Sequence, residues 1–504
     1  MNEHYEKYSI IYKILATLIF WGIFYLICPS FDKTVGASHT PEGIATFVIA
    51  LIFGIWFTPV LVGAFGAFSM FFTSPIFKRR WRKFQSLKRG YYSFIIVITL
   101  FVLSFFAEFM INGNAIYVKY KGQTYFTLFS TKRAKDFGMK GYGSPNYRTM
   151  KELYKKNNAE RAERIKNNKA TPEDLEYQNN NWGDDWVWLT IYPYGDTESL
   201  LSEQPCRPPH PPTWHETEWR KSYFEEAMFD IPAVRPSDDT LINKYNHPEW
   251  VKLGDSQLYY EMALEGLIPL QEGVEKPKGF HLLGTDDRGR DVFARMVYGF
   301  RISMAFALIV TFFSYIIGIS IGALLGYYGG WFDIIVQRIV EIWSAMPFLY
   351  TVMIFAAIMI PNFWMLAGIL VMFGWMGMTY YIRAEFLREK SKDYVAAARA
   401  IGCTDSTIIF KHILPNALTP VISFAPFAIV ANISSLVSLD FLGFGLPAPT
   451  SSWGELLGQG LANLTKPWLI LSPITAFFIT LLLVSFIGEA IREAFDPKQY
   501  SRLR

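Results

Sequence analysis

The feature that most constrains this chain is a set of windows, each close to 20 residues or longer, that contain almost no charge. A bilayer core about 30 Å thick is crossed by a helix of about 20 apolar residues. Eight windows meet that length: Ile10 to Cys28, Ile44 to Phe72, Tyr91 to Ile111, Ile302 to Tyr327, Trp343 to Ile360, Phe363 to Tyr381, Leu418 to Leu439 and Trp468 to Ala490. The sequence therefore predicts an all-α polytopic membrane protein. The 51% hydrophobic and 18% charged content of the 504 residues is an average over two chemistries that alternate along the chain. That segregation excludes an evenly mixed soluble protein and a disordered one. A net charge of +4 gives no footprint for nucleic acid. Cys28, Cys206 and Cys403 are too few and too scattered for a disulfide framework or a cysteine-based zinc site.

Basic residues in short loops set the orientation. Lys78 to Gly90 carries seven Lys/Arg and no acid, Arg383 to His412 is again basic, and Arg492, Lys498, Arg502 and Arg504 follow the last window. The opposite loops are poor in basic residues, with Lys33 the one Lys/Arg in the first and Lys466 the one before the last window. This pattern predicts both termini in the cytoplasm and the polar stretch of residues 112–300 outside. Pro347, Pro426 and Pro473 lie inside apolar windows and imply kinked helices. Gly318, Gly322 and Gly326 recur every fourth residue, which either admits a second helix closely or reflects the general abundance of Gly in membrane helices. Arg338 and Glu341, one turn apart, predict a local ion pair.

The outer insert reads in three parts. Ala115 to Phe129 alternates apolar and polar residues around Lys121 and Gly122, a β-hairpin pattern. Lys151 to Asn181 is rich in Lys, Glu and Asn and reads as a solvated helix or a flexible segment. Asn181 to Trp219 is dense in Trp, Tyr and Pro, which suits a self-packed cap or a recognition surface for a binding protein. His210, His215, Glu216 and Glu218 gather around a Pro-rich turn, without the spacing of a metal site. The chain holds no Gly-x-x-x-x-Gly-Lys-Ser/Thr phosphate loop, no Gly-x-Ser-x-Gly elbow and no His-Glu-x-x-His, so the sequence predicts no ATPase, hydrolase or metalloprotease site of its own.

The most informative stretch is Asp393 to Ala417, DYVAAARAIGCTDSTIIFKHILPNA. Val395 to Ile401 reads as a helix with an almost all-Ala face, Gly402 as the reversal that ends it, and Ser406 to Leu414 as a second short helix that Pro415 stops. A methyl-only face suits close approach to a groove on another protein. The bland reading is a solvated connector.

The spacing resembles the EAA loop of binding-protein-dependent ABC importers, carried here by Ala396, Ala397, Ala398, Gly402, His412, Leu414 and Pro415, with Ala396 where the family has Glu and His412 where Ile is usual. His281 to Ser303 is similar to the lead-in segment of oligopeptide and dipeptide permeases of the C type, through Gly284, Thr285, Asp286, Gly289, Arg290 and Asp291. Leu439 to Leu457 resembles their outer re-entrant segment, with Asp440, Gly443, Gly445 and Pro447, and its LDFLGFGLP form is like the microcin C and peptide importer branch, the Yej-type permeases. The resemblance is dense over residues 281–497, weaker over Tyr91 to Leu128, and does not reach the first two windows.

The resemblance implies a type I ABC importer bundle of about eight spans with a large mixed α/β periplasmic insert, in the bacterial inner membrane. It implies the segments 1–73 (an extra pair of spans), 74–111 (basic loop and first permease helix), 112–300 (insert), 301–492 (permease core with a coupling loop at 383–416) and 493–504 (tail). It further implies a peptide or peptide-like substrate, a second related permease, a periplasmic binding protein, and ABC ATPase subunits that bind ATP and Mg, with no cofactor in this chain. Competing expectations are an ion-coupled secondary transporter, a membrane-anchored receptor, and an ABC permease for nickel or glutathione.

Overall fold

A computed structural model describes residues 75–128, 132–139, 143–201, 208–214 and 280–495. The first two apolar windows and the terminal tail lie outside the described residues, as do His215, Glu216 and Glu218. The chain forms two compact units, one of residues 1–97, 306–434 and 481–504, the other of residues 98–305 and 435–480.

The described part of the first unit is helical. Helix α1 (Pro75–Ser86) carries the basic loop, and α2 (Lys88–Phe105) begins the first described span. Helix α6 (Val292–Tyr328) runs for 37 residues, about 55 Å at 1.5 Å per residue, and so outreaches the hydrocarbon core at one or both ends. Helices α7 (Gly330–Ser344) and α8 (Phe348–Ile358) meet at a 70° bend. Pro347 sits between them as the α8 N-cap, so the window Trp343 to Ile360 is not one kinked rod but spans a break. Helix α9 (Phe363–Lys390) is started by Asn362, whose side chain accepts from the amides of Trp364 and Met365. After α10 (Asp393–Ala400) and α11 (Asp405–Thr407), a π-helical turn (Ile408–Ile413) leads into α12 (Leu414–Phe441).

Gly318, Gly322 and Gly326 form the seam between α6 and α9. A Cβ on Gly318 would lie 2.6 Å from the Trp375 carbonyl, on Gly322 2.6 Å from the Thr379 carbonyl, and on Gly326 2.8 Å from the Arg383 carbonyl. The stripe thus admits a second backbone. Beyond it, Arg383 grips Asp333 of α7 with two hydrogen bonds of 2.6 Å each. The Arg338–Glu341 pair forms at 2.5 Å on the exposed side of α7.

In the second unit, α3 (Ala107–Met110) follows the apolar stretch of α2. Strands β1 (Tyr117–Tyr120), β2 (Gln123–Phe126) and β3 (Trp186–Trp188) make an antiparallel sheet in the order β2-β1-β3. The hairpin turn falls at Lys121 (φ 47°) and Gly122 (φ 77°), as the alternation predicts. The Lys-, Glu- and Asn-rich stretch is helical rather than flexible. Helix α4 (Tyr147–Lys166) is capped by Asn146, and α5 (Pro172–Asn179) by a Thr171–Asp174 capping box. Val118, Val187, Tyr147, Met150 and Tyr154 bury one face of the sheet against α4, with Phe137 beside them. The aromatic stretch therefore contributes one strand to a packed cap. Helix α13 (Trp453–Ala462) and the start of α14 (Trp468–Phe495) complete the unit.

Among the described residues, five helices are long and apolar enough to cross a membrane, or six if the bent pair counts as one span. Each of the six predicted windows that fall on described residues overlaps one of these, Trp343 to Ile360 falling across the bent pair and Tyr91 to Ile111 running beyond the helix end at Phe105.

Candidate functional site

The loop after α9 is a folded element. Val395 and Ala398 of α10 and Ile408, Ile409, Ile413 and Leu414 beyond it are buried in one core with Ala323 and Tyr327 of α6 and Ile382 and Phe386 of α9. The opposite face is exposed: Ala396, Ala397, Ala400, Ile401 and Gly402. The Ala-rich face is thus divided, with Ala398 turned into the core and Ala396 and Ala397 outward.

The reversal at Gly402 has a specific hydrogen-bond pattern. Its amide donates to Arg399 O at 2.9 Å and the next amide, of Cys403, donates to Ala398 O at 3.1 Å, the paired bonds of a Schellman end. Gly402 has φ +80°, and a Cβ there would meet nothing within 4 Å. Backbone conformation, not space, requires glycine at this point. The turn projects Ile401, which is 80% exposed.

Polar contacts fix the element from below. Glu389, buried at the end of α9, accepts from Tyr394 Oη at 2.8 Å and from Lys392 Nζ at 2.7 Å. Tyr327 donates to Asp405 at 2.5 Å, Lys390 reaches the Tyr327 carbonyl, and the Arg399 guanidinium lies 5.4 Å from the Tyr327 ring. Asn416 donates to the His412 carbonyl at 3.0 Å. Sequence reasoning missed Glu389, whose partners lie only three and five residues on, and Tyr327, whose partners Lys390 and Asp405 are 63 and 78 residues away and leave no periodic signal.

Pro415 does not stop the second helix, contrary to the sequence expectation. Asp405 to Phe441 is one continuous run of 37 residues. The Leu414 amide reaches back five residues to Ile409 O, so the wide turn lies immediately before the proline. Widening there relieves the clash between the proline ring and the carbonyl four residues earlier, and it removes the need for the missing N–H.

The residues 284–291 build a different structure, a buried charge knot in the second unit. Asp286 Oδ1 accepts from the amides of Arg288 at 3.0 Å and Arg290 at 2.8 Å, while Oδ2 accepts from Arg290 Nε at 2.7 Å and from Arg295. Glu455 of α13 binds Arg290 at 3.1 Å and Arg295 at 2.5 Å. Two acids face two bases. Burial pulls the Arg290 guanidinium down, but Asp286 and Glu455 outweigh it and leave it raised. The side-chain hydroxyl oxygen of Thr285 accepts from the His210 amide at 2.9 Å, and Gly284 and Gly289 turn the chain at φ +75° and +71°. Asp291 caps α6 through the Ala294 amide at 2.8 Å and accepts from Tyr192 Oη at 2.7 Å, with His281 Nδ1 at 2.8 Å. His210 is buried in this packing, and among the described residues no His, Cys, Asp and Glu group could hold a metal ion.

The third motif encloses a loop. Asp440 accepts from the Leu446 amide at 2.7 Å and from Ser452 Oγ at 2.5 Å, and Ser452 in turn caps α13. Gly445 sits against Asp440 with no room for a Cβ, Gly443 turns at φ +81°, and Pro447 follows in the same loop, where its carbonyl accepts from Thr450 N at 3.2 Å.

Residues 318–500 match the family described as "Binding-protein-dependent transport system inner membrane component". The chain is 36% identical over 431 residues to the peptidoglycan transport system permease protein YejE of Agrobacterium fabrum, covering 85% of this chain and 95% of that protein. The chain belongs to this permease family. The inner membrane ABC transporter permease protein YejE of Escherichia coli is 34% identical over 84% of this chain and 98% of its own length. The oligopeptide transport system permease protein OppC of Lactococcus lactis (strain IL1403) is 37% identical over 47% of this chain and 79% of that protein. As an ABC permease, the chain is a helical inner-membrane component whose likeness to the first two relatives extends well beyond residues 318–500.

Proposed function

We propose that this permease is one transmembrane subunit of an ATP-driven importer of oligopeptides or peptide-like compounds, and that residues 393–415 couple it to an ATPase. The observation that carries the reading is the α10 element: one face packed on the ends of α6 and α9, the other presenting Ile401. Motion imposed on Ile401 passes through Val395, Ala398 and Ile413 into two long helices. Alternating access driven at this loop follows from that continuity. ATP and Mg belong to the ATPase subunits, and a second permease and a periplasmic binding protein complete the complex. The names of the relatives, which refer to oligopeptide and peptidoglycan transport, support the substrate class.

Residues 301–492 form the permease core in this reading, 112–300 a periplasmic insert, and 1–73 an added pair of spans, with both termini cytoplasmic. The charge knot and the Asp440 loop shape the outer end, and Ala396, Ala397, Gly402, His412, Leu414 and Pro415 shape the coupling element. Copurification tests the coupling: Ile401→Asp is expected to lose the ATPase subunits that the native chain retains. Full retention with unimpaired uptake of a labelled peptide would contradict it. For orientation, a cysteine at Asn180 is expected to react with an impermeant thiol reagent from outside and one at Ser391 not to; the reverse pattern would overturn the topology.

A further inference from the structure

We propose that the outer face of the β-sheet lies on the bilayer surface, with its aromatic row in the headgroup layer of the outer leaflet. One face of this sheet is core. The other carries Phe126, Tyr117 and Trp188, one residue from each strand in direct register, with ring centroids 5.2 Å and 6.2 Å apart. Trp188 is 61% exposed, and the next register position adds Trp186, Thr124 and Lys119. The face thus bears aromatic rings and one cation but no acid. Tyr and Trp rings with an apolar body and a polar tip concentrate at headgroup depth, and a lysine there suits phosphate.

Continuity with the span decides between lipid and a water-borne partner. Ile111, directly after α3, forms a parallel bridge with Tyr192, and the Tyr192 amide donates to Met110 O at 2.8 Å. Trp188 is four residues from Tyr192, so at strand rise it lies at most about 13 Å from the residue that is bridged to the end of the helix. Between them Ile191 is 81% exposed, and the helix end itself presents Phe105, Phe106 and Phe109. Exposed apolar residues at the end of α2, at Ile191 and on the sheet thus follow one another along a tract of chain that the Ile111–Tyr192 bridge ties together. Water would leave this tract as an exposed patch with no compensating contact.

Nitroxide labels attached to cysteines test this in the full chain, with Cys28, Cys206 and Cys403 replaced by Ser and the protein placed in phosphatidylcholine–phosphatidylglycerol nanodiscs with its partner subunits. Trp188→Cys and Thr124→Cys report the face, the second without loss of an aromatic ring, and Glu152→Cys on the exposed side of α4 is the aqueous reference. The ratio of collision with oxygen to collision with a nickel chelate is expected to be several-fold higher at 188 and 124 than at 152. Equal ratios at all three sites would overturn the proposal. So would shielding from both agents at 188 and 124, which would instead assign the face to a protein partner. Either result leaves the coupling at Ile401 untouched, since the two rest on different elements.

Discussion

At the scale of single residues, the motif at 284–291 is held by charge, whereas the loop at 393–415 packs largely through Ala and Ile. Asp286 and Arg295 are fully buried and mutually satisfied through Glu455, apart from Arg295 Nε, which has no partner. Removing one member of such a group strands a buried charge, which costs about 3–5 kcal/mol. Asp286→Ala is expected to lower the thermal unfolding midpoint of the purified protein sharply, and Glu455→Gln less, because Glu455 keeps partial solvent contact. An unchanged midpoint for Asp286→Ala would show that the knot carries no stability. The sequence displayed Asp286 and Arg290 as a motif but hid Arg295 and Glu455. Their partnership joins positions 160 residues apart, which no local pattern encodes.

Elements were legible wherever one period dominated. The hairpin and the apolar windows on described residues follow from spacing, and of the two readings open for the glycine stripe the structure takes the close approach of a second helix. Two elements ran against local rules: the break at Pro347, where two helices meet at 70°, and the continuation of helix through Pro415. In the second case a wide turn accommodates the ring, and proline rules alone do not reveal such a turn. The α4–α5 pair shows a titratable dependence. Hydrogen bonds from Arg164, at 2.9 Å and 3.0 Å, hold the Asp174 carboxyl well below the usual carboxylate range. A depressed folded pKa contributes stability that is present above the unfolded value of about 3.9 and is lost as pH falls below it. Amide exchange in Pro172–Asn179 is therefore expected to stay slow, once corrected for its intrinsic rate, down to about pH 4 and to quicken below. Protection that is flat from pH 6 to pH 2, or unaltered in Asp174→Asn, would contradict this role.

For the whole molecule, charge segregation in the sequence already separated apolar windows from polar and basic stretches, while the tertiary partners of residues 393–415 came only with the structure. The central claim is that the exposed face of α10 docks on an ATPase subunit. Photocrosslinking from a benzophenone attached to Ile401→Cys tests it most directly, in membranes holding the assembled transporter. The account predicts a covalent adduct with the ATPase subunit, formed only when the reagent has access from the cytoplasmic side. No ATPase adduct at 401, together with labelling from the outer side, would contradict it.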